Sequence, residues 1–333
     1  MSYKEILLDE IEEIIEFDFL TVEAQCKSFH IGFGIDDNFV RYMGVEMISI
    51  CEHNKEASLV FHVLSNRLSS KNIEYLQMIS KEYKVKLFVY LLAESAFSDL
   101  PTLEQYPVSI YYRLILGSIV KAPRILYCDA DIICMDKIDA LFELDMENKI
   151  LAAVPDMEPI ASKRTAKLGL LNHTYFNSGV LLIDIAAWEK NRVLDKIIKA
   201  LQENKKRFNY PDQDALNFVL QGQVLYLARK YNYINTPGLQ NAAEIVFLHF
   251  AAQPKPWGIA WHMSKLCSEF TKDIYAFYEQ KSPWKDCGLV FPNNYRDMHK
   301  YANSLFANQN YAMSAVWYLK YVMTKMKKRW YKR

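Results

Sequence analysis

Apolar residues recur along this chain in two periods. The runs "HIGFGI" (30–35), "SLVFHVL" (58–64), "KVKLFVYLL" (84–92), "RILYC" (124–128), "KILAAV" (149–154), "SGVLLIDI" (178–185) and "EIVFLHF" (244–250) are short and rich in β-branched and aromatic residues, which predicts strands. Between several of them the spacing changes: Val40, Met43, Met47 and Cys51, then Val108, Tyr112, Ile115 and Ile119, repeat every three or four residues and predict helices. Strand and helix in alternation imply an α/β domain with a mostly parallel central sheet. The opening stretch "MSYKEILLDEIEEIIEFD" is acidic and patterned as helix, and beyond about residue 264 the alternation gives way to helical text. The expected organisation is an N-terminal helical extension (1–28), an α/β domain (29–264) and a small α-helical C-terminal domain with a basic, aromatic tail (265–333).

Polar residues fall at the ends of these strands. Asp36, Asp37 and Asn38 follow the first run, Asp129 and Asp131 end "RILYC", Asp156 follows "KILAAV", and His249 lies near the end of the last. In open parallel sheets, ligands bind beyond the carboxyl ends of the strands. Asp36 or Asp156 alone also fits a turn or helix cap. Asp129 and Asp131 fit that description less well, because a carboxylate against an apolar strand is costly unless paired, hydrogen-bonded or bound to a metal. Alternation along an extended chain sends both to one side, an arrangement suited to a divalent cation, and oxygen ligands with one imidazole favour Mn²⁺ or Mg²⁺ over zinc. An Asp-x-Asp after a strand also occurs in phosphohydrolases, with the first Asp as nucleophile, but Ile132-Ile133 lacks the Thr or Val typical there.

Composition narrows the class. At 333 residues with 51% hydrophobic side chains the chain can bury a large core, which excludes a disordered protein. The six cysteines, Cys26, Cys51, Cys128, Cys134, Cys267 and Cys287, show no C-x-x-C pair and predict free thiols in a reducing compartment. The opening residues are not those of a signal peptide and no apolar run nears 18 residues, so a cytoplasmic protein is expected. The sequon at Asn172 is read as chance.

Five motifs in order, "GIDDNF", "YYRLILG" before "RILYCDAD", "YFNSGVLLIDIAAWEK", "YPDQDALN" and "HFAAQPKPW", resemble those of family 8 glycosyltransferases across about residues 29–262. The similarity is strongest to the bacterial branch that adds glucose or galactose to the lipopolysaccharide outer core, whose small C-terminal domain the tail resembles. The resemblance implies a GT-A fold, a UDP-glucose or UDP-galactose donor, Mn²⁺ or Mg²⁺, a saccharide acceptor such as the lipopolysaccharide core, and transfer with retention of anomeric configuration. A non-catalytic UDP-sugar or glycan-binding protein is the alternative from another class.

The resemblance also implies residue roles. Asp129, Asp131 and His249 match the metal ligands. Gly34, Asp36, Asn38, Arg113, Ala130 and Lys255 match positions along the donor nucleotide and its diphosphate. Asn177, Asp212 and Gln213 match groups around the donor sugar, and Asp156 one toward the acceptor. Taken singly, Asp212 also fits a helix N-cap, His249 a core histidine and Lys255 a loop lysine. No strong nucleophile stands where Gln213 falls, and Asp214 is a distant candidate, so a front-face displacement is expected. Two departures are Ala252, where the family commonly has Gly, and Gly258, where it has His.

Charge is unevenly spread. The formal net charge is +1, and the eight Lys and Arg after Asp297, with no Asp or Glu among them, leave the preceding residues at −7. Val316, Leu319, Val322 and Met323 fall at helical spacing beside Lys320, Lys325, Lys327, Lys328, Arg329, Lys332 and Arg333, with Trp317, Tyr321, Trp330 and Tyr331 interleaved. Cations beside interfacial aromatics predict a helix lying on an anionic membrane surface, peripheral to the cytoplasmic face of the inner membrane. A helix packed on the rest of the protein, with a frayed basic end, is the alternative. No nucleic-acid-binding motif accompanies the charge.

Overall fold

The computed structural model describes residues 2–21, 27–102, 107–171 and 173–330, and the side chains of all of these except Arg329 and Trp330. Cys26, Asn172, Tyr331, Lys332 and Arg333 lie outside the described residues. The strands are β1 (Ile11–Asp18), β2 (Ser28–Gly34), β3 (Ser58–Ser65), β4 (Lys86–Leu92), β5 (Arg124–Cys128), β6 (Ile132–Cys134), β7 (Leu151–Pro155), β8 (Phe176–Asp184), β9 (Val224–Tyr226), β10 (Tyr233–Ile234) and β11 (Phe247–His249). The helices are α1 (Tyr3–Asp9), α2 (Val40–His53), α3 (Ser70–Glu82), α4 (Leu116–Ile119), α5 (Asp139–Phe142), α6 (Ile160–Leu168), α7 (Ile185–Lys190), α8 (Val193–Glu203), α9 (Pro211–Val219), α10 (Glu269–Gln280), α11 (Tyr295–Ala307) and α12 (Tyr311–Trp330).

An eight-stranded sheet in the order β1-β4-β3-β2-β5-β8-β7-β9 carries the first compact unit, Met1–Tyr233 with Glu244–His249. Six strands share one direction, while β1 and β8 run against them. The apolar runs are continuous because the inner strands are buried on both faces: all but the first residue of β3 is buried, as is α2 from Val40 to Cys51.

The opening stretch departs from expectation. Tyr3–Asp9 is helical, with a capping box from Ser2 and Glu5, but Ile11–Asp18 is a strand antiparallel to β4. "IEEIIEFD" satisfies either period in so short a run, and long-range pairing decides it. The segment is therefore the edge of the main sheet and not a separate helical extension, and its acidic, exposed residues suit an edge exposed to solvent. Val108–Ile115 is a 3₁₀ segment that becomes α-helical only over α4.

The second unit comprises Ile234–Ala243 and Phe250–Arg333, so the division falls earlier than residue 264. There α11 and α12 enclose a small core of Tyr301, Ala302, Leu305 and Trp317. Trp317 is stacked on Phe291 and meets Tyr301 edge-on. It is a core residue and not an interfacial aromatic. Among the described residues no helix is long and apolar enough to cross a membrane.

Candidate metal and donor site

The first unit converges three ligand groups at the end of β5. Strand β5 stops at Cys128, and the Asp129 amide is held by the Gly179 carbonyl of β8 at 2.8 Å. Three residues after Asp129 the chain re-enters a strand as β6, which pairs antiparallel with β11 in the register Ile132↔His249. That pairing delivers a histidine more than a hundred residues away to the Asp-x-Asp. His249 Nε2 lies 3.2 Å from Asp131 Oδ1 and 3.9 Å from Asp129 Oδ2, and one ligand atom from each of the three residues falls within 4.8 Å of the others. Two hard oxygens and one imidazole nitrogen at that spacing fit a divalent cation.

Arg113 ties this cluster to the start of α9. Its Nη2 is 2.8 Å from Asp129 Oδ1 and its Nε is 3.2 Å from Asp212 Oδ2, while Nη1 donates to the Ser178 carbonyl (2.8 Å) and hydroxyl (3.1 Å). Burial opposes the guanidinium charge, yet the Asp129 and Asp212 carboxylates beside it leave its pKa above the ordinary value. Tyr127, two residues before Asp129 on β5, donates to Asp129 Oδ1 at 2.7 Å, and burial raises its phenol well above the usual range, keeping that donor protonated. Burial also raises the Asp212 carboxyl, with Arg113 opposing the shift.

Beside Asp212, Gln213 is held at both ends of its amide. Its Oε1 accepts from the Ser178 amide (2.9 Å) and hydroxyl (3.2 Å), and its Nε2 donates to Asp156 Oδ2 at 2.9 Å. Asp212 is not the N-cap of α9: the cap position is Tyr210, and Pro211 and Asp212 stand inside the first turn. Asp214 is fully buried and accepts from Arg164 through Nε (2.9 Å) and Nη2, from Tyr175 Oη (2.7 Å), and from the Asn209 and Tyr210 amides (2.6 and 2.9 Å). Every lone-pair direction of that carboxylate is committed to structure, which removes it as a covalent nucleophile.

Of the residues that the resemblance assigns to the nucleotide, Gly34, Asp36 and Asn38 lie at and just after the end of β2. Gly34 lies where the 3₁₀ segment passes, and a Cβ there would fall 2.9 Å from Tyr112 Cβ and 3.2 Å from the Arg113 amide. Asp36 Oδ1 accepts from the Asn38 amide at 2.9 Å, and Asn38 and Phe39 are exposed. Asp37 instead serves α3, accepting from the Ser69 amide and from Asn72 Nδ2. Ala130 is buried between the two aspartates. Lys255 belongs to the second unit, where its ammonium donates to the Phe250 and Ala251 carbonyls. In the same unit Trp257 is buried against Tyr275 and Ala252 is exposed.

Four residues were not singled out by the sequence. Tyr127 was legible, since it shares the Asp129 side of β5 by strand alternation. Glu46, completely buried within α2, stood as an acid in the apolar stretch Met43–Cys51; burial and the nearby Asp131 charge raise its carboxyl well above the ordinary range. Ser178 and Asn232 carry no local signal.

A largely parallel sheet with Asp-x-Asp and His converging at its carboxyl edge defines a glycosyltransferase of the GT-A fold. Residues 30–260 match the family described as glycosyl transferase family 8, residues 271–325 match its C-terminal family, and the chain belongs to glycosyl transferase family 8. It is 30% identical to the lipopolysaccharide glucosyltransferase WaaO of Escherichia coli (strain K12), covering 95% of this chain and 96% of the relative. It is 29% identical to the lipopolysaccharide 1,3-galactosyltransferase of Salmonella typhimurium (strain LT2), covering 98% and 99% respectively. Among solved structures, the galactosyltransferase LgtC, crystallised with donor and acceptor sugar analogues, shares the fold at a TM-score of 0.66 and 21% identity, over 80% of this chain and 99% of that one.

Proposed function

We propose that the protein transfers glucose or galactose from a UDP-sugar to a saccharide of the lipopolysaccharide core, with retention of configuration. The observation that carries this reading is the meeting of Asp129, Asp131 and His249 in a chain matched nearly end to end by lipopolysaccharide glucosyl- and galactosyltransferases. Mn²⁺ or Mg²⁺ bound there supplies Lewis-acid stabilisation to the departing diphosphate. Arg113 holds Asp129 and Asp212 in fixed positions, and Tyr127 supports Asp129 from below. Asp36 and Asn38 read the uracil and ribose, Asn177, Asp212 and Gln213 surround the donor sugar, and Asp156 faces the acceptor side. Gln213 is an amide, Asp214 is sealed, and Asp212 is engaged by Arg113, which favours attack by the acceptor hydroxyl on the face that UDP leaves over a covalent intermediate. A phosphohydrolase that uses Asp129 as nucleophile is disfavoured, because Arg113 and Tyr127 both hold its Oδ1. Incubation of UDP-glucose and UDP-galactose with truncated lipopolysaccharide cores tests the proposal: one donor yields a lengthened core and UDP. Release of inorganic phosphate, or binding without turnover, contradicts it.

The same reading places the protein on the cytoplasmic face of the inner membrane, through α12. Val316, Leu319, Met323 and Met326 recur at intervals of three and four residues and are 44–63% exposed, with Lys320 and Lys327 in the same turns. Such a stripe suits an interfacial helix, each cation near an anionic surface adding about 1 kcal/mol. Truncation from residue 317 would remove core Trp317, so surface substitutions are the sounder probe. The triple variant Leu319→Ser, Met323→Ser, Met326→Ser is expected to lose at least about tenfold in affinity for vesicles containing anionic lipid. Unchanged co-sedimentation at low salt would assign α12 a structural role only.

A further inference from the structure

Behind the metal-site histidine runs a hydrogen-bonded relay that ends on a backbone amide. The Gly179 amide donates to Asn177 Oδ1 at 2.9 Å, Asn232 Nδ2 donates to the same oxygen at 2.8 Å, and Asn232 Oδ1 stands 2.8 Å from His249 Nδ1. Asn232 and His249 are each 2% exposed, so water does not compete for these links. A Cβ at Gly179 would fall 2.4 Å from His249 Cε1, and only glycine allows the histidine to approach β8 this closely.

The polarity of each link follows from the one before. A backbone N–H can only donate, so the Asn177 atom that meets Gly179 is its oxygen. That oxygen requires a donor from Asn232, which turns the Asn232 amino group toward Asn177 and its carbonyl toward His249. A carbonyl oxygen only accepts, so His249 Nδ1 carries the hydrogen. In the neutral ring Nε2 then keeps its lone pair, and Nε2 is the nitrogen that faces Asp131 and Asp129.

We propose that Asn232 and Asn177 are positioning residues that hold His249 in its Nδ1–H tautomer and so preset Nε2 as a ligand for a divalent cation. The opposing tautomer has a real attraction: with its hydrogen on Nε2, His249 could donate across 3.2 Å to Asp131 Oδ1 and close the ligand position. The relay makes that arrangement unfavourable by leaving the buried Asn232 oxygen facing a bare Nδ1. Partners behind a ligating histidine act in this way on affinity. Asn177 thereby acquires a task beyond any contact with the donor sugar.

The test is made on the full-length chain by two measurements. At about pH 9, where an ordinary histidine is neutral, ¹⁵N NMR of the metal-free wild type is expected to show His249 Nδ1 as protonated and Nε2 as bare. Asn232→Leu removes the acceptor; the hydrogen is expected to move to Nε2, and Mn²⁺ affinity measured by calorimetry to fall about 10–100-fold. Asn177→Asp still accepts from both the Gly179 amide and Asn232, so its tautomer is expected to match the wild type and its Mn²⁺ affinity not to fall below it. A purely structural role would lower the melting temperature of both variants without moving the tautomer. The proposal is overturned by a wild-type spectrum with Nε2 protonated, by Asn232→Leu binding Mn²⁺ as tightly as wild type, or by Asn177→Asp losing affinity as Asn232→Leu does. If Asn232→Leu does not fold, the wild-type spectrum decides alone.

Discussion

The chain writes Asp-x-Asp twice, as Asp129-Ala130-Asp131 and as Asp212-Gln213-Asp214, and the two stretches do different work. The first lies between two strands, and both carboxylates reach the side where β11 delivers His249. The second lies in the first turn of α9, where residues two apart point to different sides of the helix. Asp212 turns to Arg113 and the site; Asp214 turns inward to Arg164, Tyr175 and two backbone amides. The contrast teaches that a spacing has chemical meaning only with its backbone period. One carboxylate pair is left able to take a cation, while the inner residue of the other is committed to holding the fold.

The comparison can be broken at either stretch. The largest effect is expected from Asp131→Asn, which keeps shape and removes a charged ligand. Transfer should fall more than about a hundredfold, with a melting temperature within about 2 °C of wild type. Near-normal turnover would remove the first stretch from the chemistry. Asp214→Ala should do the reverse, leaving Arg164 buried and unpaired at a cost of about 3–5 kcal/mol in urea denaturation. A stable Asp214→Ala protein that is inactive would place Asp214 in catalysis and not in the fold.

A smaller effect is expected at Asp212. Burial raises this carboxyl, so the native state holds its proton more tightly than the unfolded chain does. Its contribution to stability is therefore present at low pH and is lost as pH rises through the native pKa. The uncharged Asp212→Asn should gain on the wild type in thermal melts as pH rises through and above the ordinary carboxylate range. A difference that stays flat over that range would show that Arg113 fully offsets the burial cost.

Much of this was legible. The inner strands could be read because burial on both faces leaves continuous apolar runs, and β5 with its terminal aspartates stood out because charge against such a run needs a partner. The partner could not be read from the strand itself. His249 sits in "VFLHFAAQ", where a core histidine is the ordinary expectation, and only the order of motifs marked it. Asn232 in "RKYNYINT" had no periodic or compositional signal, because its role exists only after the 3₁₀ turn Arg229–Asn232 and β11 bring it behind the imidazole. Strand β1 departs from the helical expectation for a related reason: eight residues of mixed apolar and acidic character fit both periods, and the choice belongs to β4. What the sequence hides is pairing across long separations.

Transfer from the preferred UDP-sugar to a truncated lipopolysaccharide core, measured after chelation and then across a Mn²⁺ titration for the wild type and Asp131→Asn, tests the central claim most directly. Activity of the wild type should vanish with chelator and return saturably with Mn²⁺, while Asp131→Asn should need at least about tenfold more metal and reach a lower plateau. Transfer that persists undiminished in chelator, or identical titrations for the two proteins, would contradict the assignment of the first Asp-x-Asp to a metal-dependent glycosyltransferase site.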